Sequence, residues 1–143
     1  MAKQTGIGAV ILATAILGVI GLGPAGAADV GAEEYAAQCA ACHGTGGRGD
    51  GALAARLDKP ASDLTRIARA NAGTFPFARV YDVIDGRDAI AAYVGSDMPA
   101  WGEVYVMQAT GLTSGQGTQK DHDAFARDRI IALIGYVHGL QAK

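Results

Sequence analysis

The sequence contains few charged and aromatic residues and only two cysteines. Charged side chains make up 18% and aromatic side chains 6% of the 143 residues, whereas 50% are hydrophobic. The formal net charge is −2 and no block of Lys and Arg is present, so binding to nucleic acid is not indicated. No useful stretch alternates apolar and polar residues, and no internal repeat occurs. A single globular domain of the all-α class is therefore expected.

The N-terminus is a long apolar segment. No charged residue occurs over residues 4–28, which contain the aliphatic run IGAVILATAILGVIGLG and then a proline and the small residues AGAA. This composition is typical of a secretory signal peptide. We interpret residues 1–28 as a signal peptide cleaved after Ala27 or Ala28, and residues 29–143 as the mature domain, exported to the periplasm. An uncleaved membrane anchor is the alternative, because about 20 apolar residues can span a bilayer.

The first half of the mature part predicts short helices around a loop. Residues 29–41 are rich in helix formers and should form a helix that ends at the cysteines. HGTGGRGDG, residues 43–51, holds five glycines and predicts a loop. A short helix is predicted over 52–58, and another should begin after Ser62 or Asp63, since either residue can cap it.

Two later segments show helical periodicity. FPFARVYDVIDG places four apolar residues on one helical face, followed by a glycine; they are Phe77, Val80, Tyr81 and Ile84. Residues 123–140 predict the longest helix, with a broad apolar stripe. Residues 95–120 are rich in turn-forming residues, and we expect them to form a surface loop.

Both cysteines lie in the motif CAACHG, which begins at Cys39. A disulfide that encloses two residues would stabilise the fold very little. A redox-active cysteine pair of the thioredoxin type is expected in a βαβ unit, and no strand is predicted here. Zinc needs four ligands, and the other histidines, His122 and His138, are distant in sequence. A covalently bound haem uses Cys39 and Cys42 as thioethers and His43 as the proximal iron ligand. The motif predicts haem attachment, with zinc or a disulfide as alternatives.

Residues outside the motif strengthen the haem interpretation. Gly31 and Tyr35 lie eight and four positions before Cys39, and Leu133 lies three positions before Tyr136. In this spacing the chain resembles the class I c-type cytochromes of the bacterial periplasm. The resemblance implies the cytochrome c fold, in which 3–5 helices surround one covalently bound haem c and the N- and C-terminal helices cross. A glycine at such a crossing allows close approach of the two helices.

The resemblance also implies further residues of the haem site. Met98, followed by a proline, is similar to the family's second axial iron ligand. Met107 is the alternative ligand in the mature domain; Met98 is preferred because it lies in a stretch of Pro, Gly and Asp rather than on an apolar helix face, where methionines usually fill the core. Pro60 is similar to the family proline whose carbonyl accepts the Nδ1–H of His43, and Trp101 is expected in the wall of the haem pocket.

Several polar residues are expected to have no role in the site. His122 lies in the charged stretch KDHD, and His138 lies on the terminal helix, so we expect both to be solvated. Asp85 and Asp88 are close in sequence and would suit acid–base chemistry, but carboxylates at a helix end usually face solvent. No catalytic residue is predicted.

The implied ligand set determines the expected function. A histidine and a thioether sulfur on opposite sides leave the iron no open position for a substrate. The resemblance therefore implies single-electron transfer rather than an enzyme, at a potential that the thioether raises. Redox proteins such as a dehydrogenase, an oxidase or a membrane cytochrome complex are the expected partners. The chain is either a soluble periplasmic carrier or the cytochrome subunit of a dehydrogenase or oxidase complex.

Overall fold

The fold of the chain is all-helical, as predicted. The computed structural model describes residues 27–86 and 97–142, and these ranges contain no β-strand. The helices are α1 (Ala27–Glu34), α2 (Ala40–His43), α3 (Ile67–Ala70), α4 (Phe77–Asp85), α5 (Trp101–Leu112) and α6 (Gln119–Gly139). A π-helical turn occupies Tyr35–Cys39, and 3₁₀ turns occupy Ala54–Arg56 and Leu64–Arg66. Within the same two ranges, no helix has the length and hydropathy needed to cross a membrane.

The first helical segment runs without a break into the cysteine motif. From Ala27 the chain stays helical through the π-helical turn to His43, so the helix predicted over 29–41 is confirmed. Gly44 follows with a φ of +77°, a conformation that glycine adopts without strain and that stops the helix. Residues 1–26 of the predicted signal peptide lie outside the described part of the chain.

The first and last helical segments cross at Gly31. A Cβ atom on Gly31 would lie 2.2 Å from the carbonyl oxygen of Ala132 and 3.2 Å from the Cβ of Tyr136, so only glycine fits there. Tyr35 packs against Tyr136 with ring centroids 4.8 Å apart, a favourable separation for two aromatic rings. The helix crossing that the family resemblance implied is therefore present.

The core is built on one side of α6. The predicted apolar stripe of this helix is buried, and the fully buried side chains Tyr35 and Tyr105 pack with it. Full burial of one large apolar side chain stabilises a fold by about 1.5–3 kcal/mol, so this stripe dominates the packing. Its buried members are Ile130, Leu133, Ile134 and Val137, with Ala126 buried beside them, whereas Phe125, also predicted in the stripe, is only partly buried.

The chain between the motif and α4 folds into short turns. The helix predicted over 52–58 is a single 3₁₀ turn, Ala54–Arg56. The helix expected near Asp63 begins at Leu64, and the Asp63 carboxylate caps it by accepting hydrogen bonds from the backbone N–H and the hydroxyl of Thr65. These bonds hold the pKa of Asp63 below its ordinary value.

Helix α4 follows its predicted bounds, with two differences in exposure. Val80 is buried and Gly86 ends the helix with a φ of +68°, as expected. Phe77, assigned to the apolar face, is 48% exposed, and Asp85, expected to face solvent, is only 8% exposed. Asp88 lies outside the described residues.

The prediction of a surface loop over residues 95–120 is wrong for its central part. Helix α5 begins at Trp101, directly after the turn that contains Met98. Trp101, Tyr105 and Ala109 are buried on one face of α5, at the spacing of successive helical turns. Glycines and β-branched residues lower the helix propensity of this segment, but burial of its aromatic face outweighs that preference.

His122 is buried rather than solvated. Its side chain is 7% exposed at the start of α6. Nδ1 lies 3.3 Å from the hydroxyl of Thr110, and Nε2 lies 3.2 Å from both the hydroxyl of Thr113 and the carbonyl oxygen of Gln116. The ring therefore joins the end of α5 to the start of α6.

Candidate functional site

The motif residues Cys39, Cys42 and His43 lie together at the end of the first helical segment. Cys39 ends the π-helical turn, and the other two belong to α2. All three are partly exposed, and all three line one cavity with a volume of about 500 Å³. No disulfide joins the two sulfur atoms. Both thiols and the imidazole are therefore accessible to one ligand in this cavity.

The cavity suits a large and mostly apolar ligand. Its volume falls within the range of about 300–1,000 Å³ that is usual for small-molecule and cofactor pockets. Lys59 and Arg79 are exposed cations in the wall and can meet acidic groups of a ligand. This chemistry fits haem, which has an apolar macrocycle and two carboxylates. The apolar lining comprises Leu57, Leu64, Ile67, Val80, Val83, Ile84, Leu133 and Val137.

The imidazole of His43 is oriented by a backbone carbonyl. Its Nδ1 lies 3.0 Å from the carbonyl oxygen of Ser62. A carbonyl can only accept a hydrogen bond, so Nδ1 carries the proton and the lone pair of Nε2 remains available to a metal ion. The predicted acceptor was the carbonyl of Pro60, so that assignment is wrong by two residues. Pro60 lies instead in the wall of the cavity.

The glycine-rich loop determines which carbonyl reaches His43. The backbone N–H of Leu64 donates to the carbonyl of Gly47 at 2.6 Å. Gly49, with a φ of +78°, lies so close to Ala61 that a Cβ atom would be 2.3 Å from its carbonyl oxygen. These contacts hold Ala61 and the adjoining Ser62 against the loop. The path of the loop, which residue types alone do not specify, therefore turns the Ser62 carbonyl toward the ring.

Met98 and Trp101 lie in the wall of the same cavity. Met98 is partly buried in the turn before α5, and Trp101, 8% exposed, is the first residue of that helix. The ring centroids of Trp101 and Tyr105 are 6.1 Å apart, which anchors the start of α5 in the core. Met107 lies further along α5 and is 65% exposed. The structure thus brings Met98 and Trp101 to the cavity that holds the cysteine motif.

The environment of the motif keeps its first thiol neutral. Burial, together with the nearby Glu34 and Cys42, raises the pKa of Cys39 to about 12. Thiol–disulfide exchange requires a thiolate, so this site is unsuited to redox chemistry of the dithiol itself. Burial likewise raises the pKa of Tyr35 to about 12, and its hydroxyl donates to the carbonyl of Gly44 at 2.7 Å.

Comparison with known proteins identifies the family. A family model described as cytochrome c oxidase, cbb3-type, subunit III, matches residues 26–137, a range that includes the cysteine motif, Met98 and most of α6. Searches of curated proteins and of solved structures gave no match. The resemblance to class I c-type cytochromes is confirmed, with haem c and its iron as the cofactor. The chain belongs to the cbb3-type cytochrome c oxidase subunit III family, whose cytochrome c domain is a haem-based electron carrier.

Proposed function

We propose that the chain transfers single electrons between redox proteins through one haem c, with Cys39 and Cys42 as thioethers and His43 and Met98 as the iron ligands. The observation that carries this proposal is the shared cavity: all four side chains line it, although Met98 is distant from the motif in sequence. The apolar walls and the hydrogen-bonded His43 support the same assignment.

The proposed ligand set favours electron transfer over chemistry on a substrate. Haem supplies a one-electron couple of its iron when bound. The Ser62 carbonyl fixes the ring of His43 and increases its basicity, and the sulfur of Met98 would be the second protein ligand of the iron. The apolar part of the wall would limit the contact of a bound haem with water, which disfavours the additional charge of the oxidised state.

Covalent attachment tests the cofactor assignment directly. Denatured protein should retain its haem through acid and organic extraction, because thioether bonds survive both. Cys39→Ala and Cys42→Ala each remove one bond, and the double variant should release all of its haem. Met107→Ala, a substitution on the exposed part of α5, is the control and should retain it. Quantitative release of haem from the unmodified protein would refute the assignment.

A cytochrome subunit of an oxidase or dehydrogenase complex is the second candidate. The matched family is described as subunit III of a cbb3-type oxidase, and this description supports a place in a stable complex. Purification of the tagged chain from its native cells at low and high salt distinguishes the two. Proteins that co-purify at high salt would support the subunit, whereas recovery of the chain alone would support the carrier.

Export to the periplasm accompanies either function in our proposal. c-type cytochromes are generally exported, and the apolar composition of residues 1–28 is typical of a cleaved signal peptide. The intact mass of the periplasmic protein should correspond to a chain that begins at Ala28 or Asp29. Recovery of the full-length chain in the membrane fraction would indicate the anchor instead.

A further inference from the structure

A hydrogen bond ties the segment of Met98 to a second part of the cavity wall. Oδ2 of Asp97 accepts the backbone N–H of Asp58 at 2.8 Å, across a sequence separation of 39 residues. Asp97 and Met98 both line the cavity, and so do Leu57 and Lys59, the two neighbours of Asp58. The bond therefore joins two parts of the wall that are distant in the chain.

This bond restrains Met98 through its immediate neighbour. Asp97 directly precedes Met98, and consecutive Cα atoms are only about 3.8 Å apart, so a fixed Asp97 limits the movement of the next residue. On the other side, the ring of Pro99 fixes its own φ near about −65°. Helix α5 then begins at the buried Trp101. Met98 thus lies between a buried helix start and the hydrogen-bonded Asp97.

The segment that contains Asp58 also orients His43. Residues 57–62 carry the N–H of Asp58 and, four residues later, the Ser62 carbonyl that lies 3.0 Å from Nδ1 of His43. Contacts with the glycine-rich loop hold this segment in place. The segment therefore contacts His43 directly and reaches Met98 through Asp97.

We propose that Asp97 is a positioning residue for Met98: by accepting the N–H of Asp58, its carboxylate holds the thioether sulfur in the cavity. The inference rests on the proposed role of Met98 as an iron ligand. A carboxylate forms a stronger hydrogen bond than a neutral acceptor does, but both residues are exposed and water competes for the bond. Loss of the bond should lower the fraction of the protein in which Met98 is bound to the iron, without unfolding the chain.

The test measures ligation of Met98 separately from folding. Asp97→Ala removes the acceptor, Asp97→Asn keeps an acceptor oxygen without the charge, and Glu103→Ala removes an exposed carboxylate from α5 as the matched control. Each haem-loaded protein is assayed for carbon monoxide binding to its reduced form, for the temperature at which the sulfur-to-iron absorption of its oxidised form disappears, and for Tm by circular dichroism.

Because the lost bond has a charged acceptor, we expect carbon monoxide to bind Asp97→Ala on the order of fivefold faster. Its absorption should disappear well below its Tm. In both measurements Asp97→Asn should differ less from the unmodified protein than Asp97→Ala does. Glu103→Ala should give the values of the unmodified protein.

A second variant removes the donor instead of the acceptor. Leu57 has φ −81° and ψ 142°, an extended conformation that accommodates a following proline, and Asp58→Pro deletes the N–H. Asp58→Pro should change carbon monoxide binding and the absorption as Asp97→Ala does. The double variant should show no larger change than either single variant. Additive effects of the two substitutions on carbon monoxide binding would overturn the inference but not the assignment of Met98 as a ligand. An unchanged absorption and carbon monoxide rate in Asp97→Ala would have the same meaning. Met98→Ala is measured in parallel; absorption that survives it would overturn the ligand assignment and the inference together.

Discussion

The carboxylate of Glu34 accepts a hydrogen bond from the guanidinium of Arg129, which joins the first helical segment to α6. The hydroxyl of Tyr105 on α5 donates to the other oxygen at 3.0 Å, so three helices meet at one carboxylate. The Glu34 side chain is 13% exposed and that of Arg129 is 32% exposed. A largely buried charge must be paired to be tolerated, so this cluster specifies how the three helices pack.

Breaking this cluster should cost more than breaking a surface ion pair. Arg129→Met leaves the Glu34 carboxylate without its charged partner, and we expect the free energy of unfolding to fall by about 2–3 kcal/mol. Arg127→Met is the control, because the pair of Arg127 with Asp128 joins side chains that are 57% and 72% exposed; such pairs contribute about 0–1 kcal/mol. Urea unfolding measures both, and equal losses would contradict the assigned role of the cluster.

The helix crossing should depend on the absence of a side chain at Gly31. Gly31→Val places atoms where the Ala132 carbonyl lies, and should destabilise the protein at or above the upper end of the ~1–3 kcal/mol usual for overpacking. Gly135→Ala on α6 is the control, since its Cβ atom would contact nothing within 4 Å. That substitution should stabilise the helix by up to about 1 kcal/mol. A thermal melt that Gly31→Val leaves unchanged would place the crossing elsewhere.

The features that could be predicted depend on short-range spacing. Gly31 and Tyr35 precede the motif on one helix, and Leu133 and Tyr136 lie on one turn of another, so their faces follow from helical geometry. Of the interpretations considered for the motif, only haem attachment uses all three of its functional side chains. Met98 could be assigned only through the family resemblance, because nothing in its local sequence shows that the chain returns to the cavity.

The predictions that proved wrong concern residues whose structure is determined by tertiary contacts rather than by local sequence. Helix α5 forms because Trp101 and Tyr105 are buried, although the composition of this segment favours turns. His122 was assigned to solvent from its charged neighbours, yet it is buried near the start of α6. The N-cap Thr118, three residues before Asp121, was a usable signal for the early start of that helix. The choice of Ser62 over Pro60 depends on a backbone path that side chains do not encode.

The start of α6 should lose stability in acid. Hydrogen bonds from the backbone N–H and the hydroxyl of Thr118 hold the pKa of Asp121 below its ordinary value of 3.8. A group whose pKa is lower in the folded state stabilises the fold above its unfolded pKa, and this contribution disappears as the pH falls through the folded pKa. Asp121→Asn should therefore destabilise the protein at about pH 7, and the difference should shrink toward about pH 3. Urea unfolding at both pH values measures this, and a difference independent of pH would argue against it.

The redox potential should respond to Gly49. Gly49→Ala introduces a Cβ atom 2.3 Å from the Ala61 carbonyl oxygen at a φ of +78°, with a strain of about 1–3 kcal/mol. Relief of this strain moves the adjoining Ser62 carbonyl away from His43. With His43 as the proposed iron ligand, a weaker hydrogen bond would make the imidazole a poorer electron donor to ferric iron, so the midpoint potential should rise. Gly46→Ala, whose Cβ atom would meet nothing within 4 Å, is the control for redox titration; equal potentials in the two variants would contradict the role of the loop.

The two methionines of the described chain should differ completely in their effect on the iron. Met98 lines the cavity, whereas Met107 is 65% exposed on α5. With Met98 as the proposed iron ligand, Met98→Ala should abolish the sulfur-to-iron absorption of the oxidised protein, lower the midpoint potential and allow carbon monoxide to bind the reduced form. Each effect has a separate cause: a lost sulfur ligand, a weaker preference for ferrous iron and a vacant coordination position. Met107→Ala should cause none of them. Rapid carbon monoxide binding by the unmodified protein would show that the sixth position is already open, and a ligand-binding haem sensor or enzyme would then explain the site better than electron transfer.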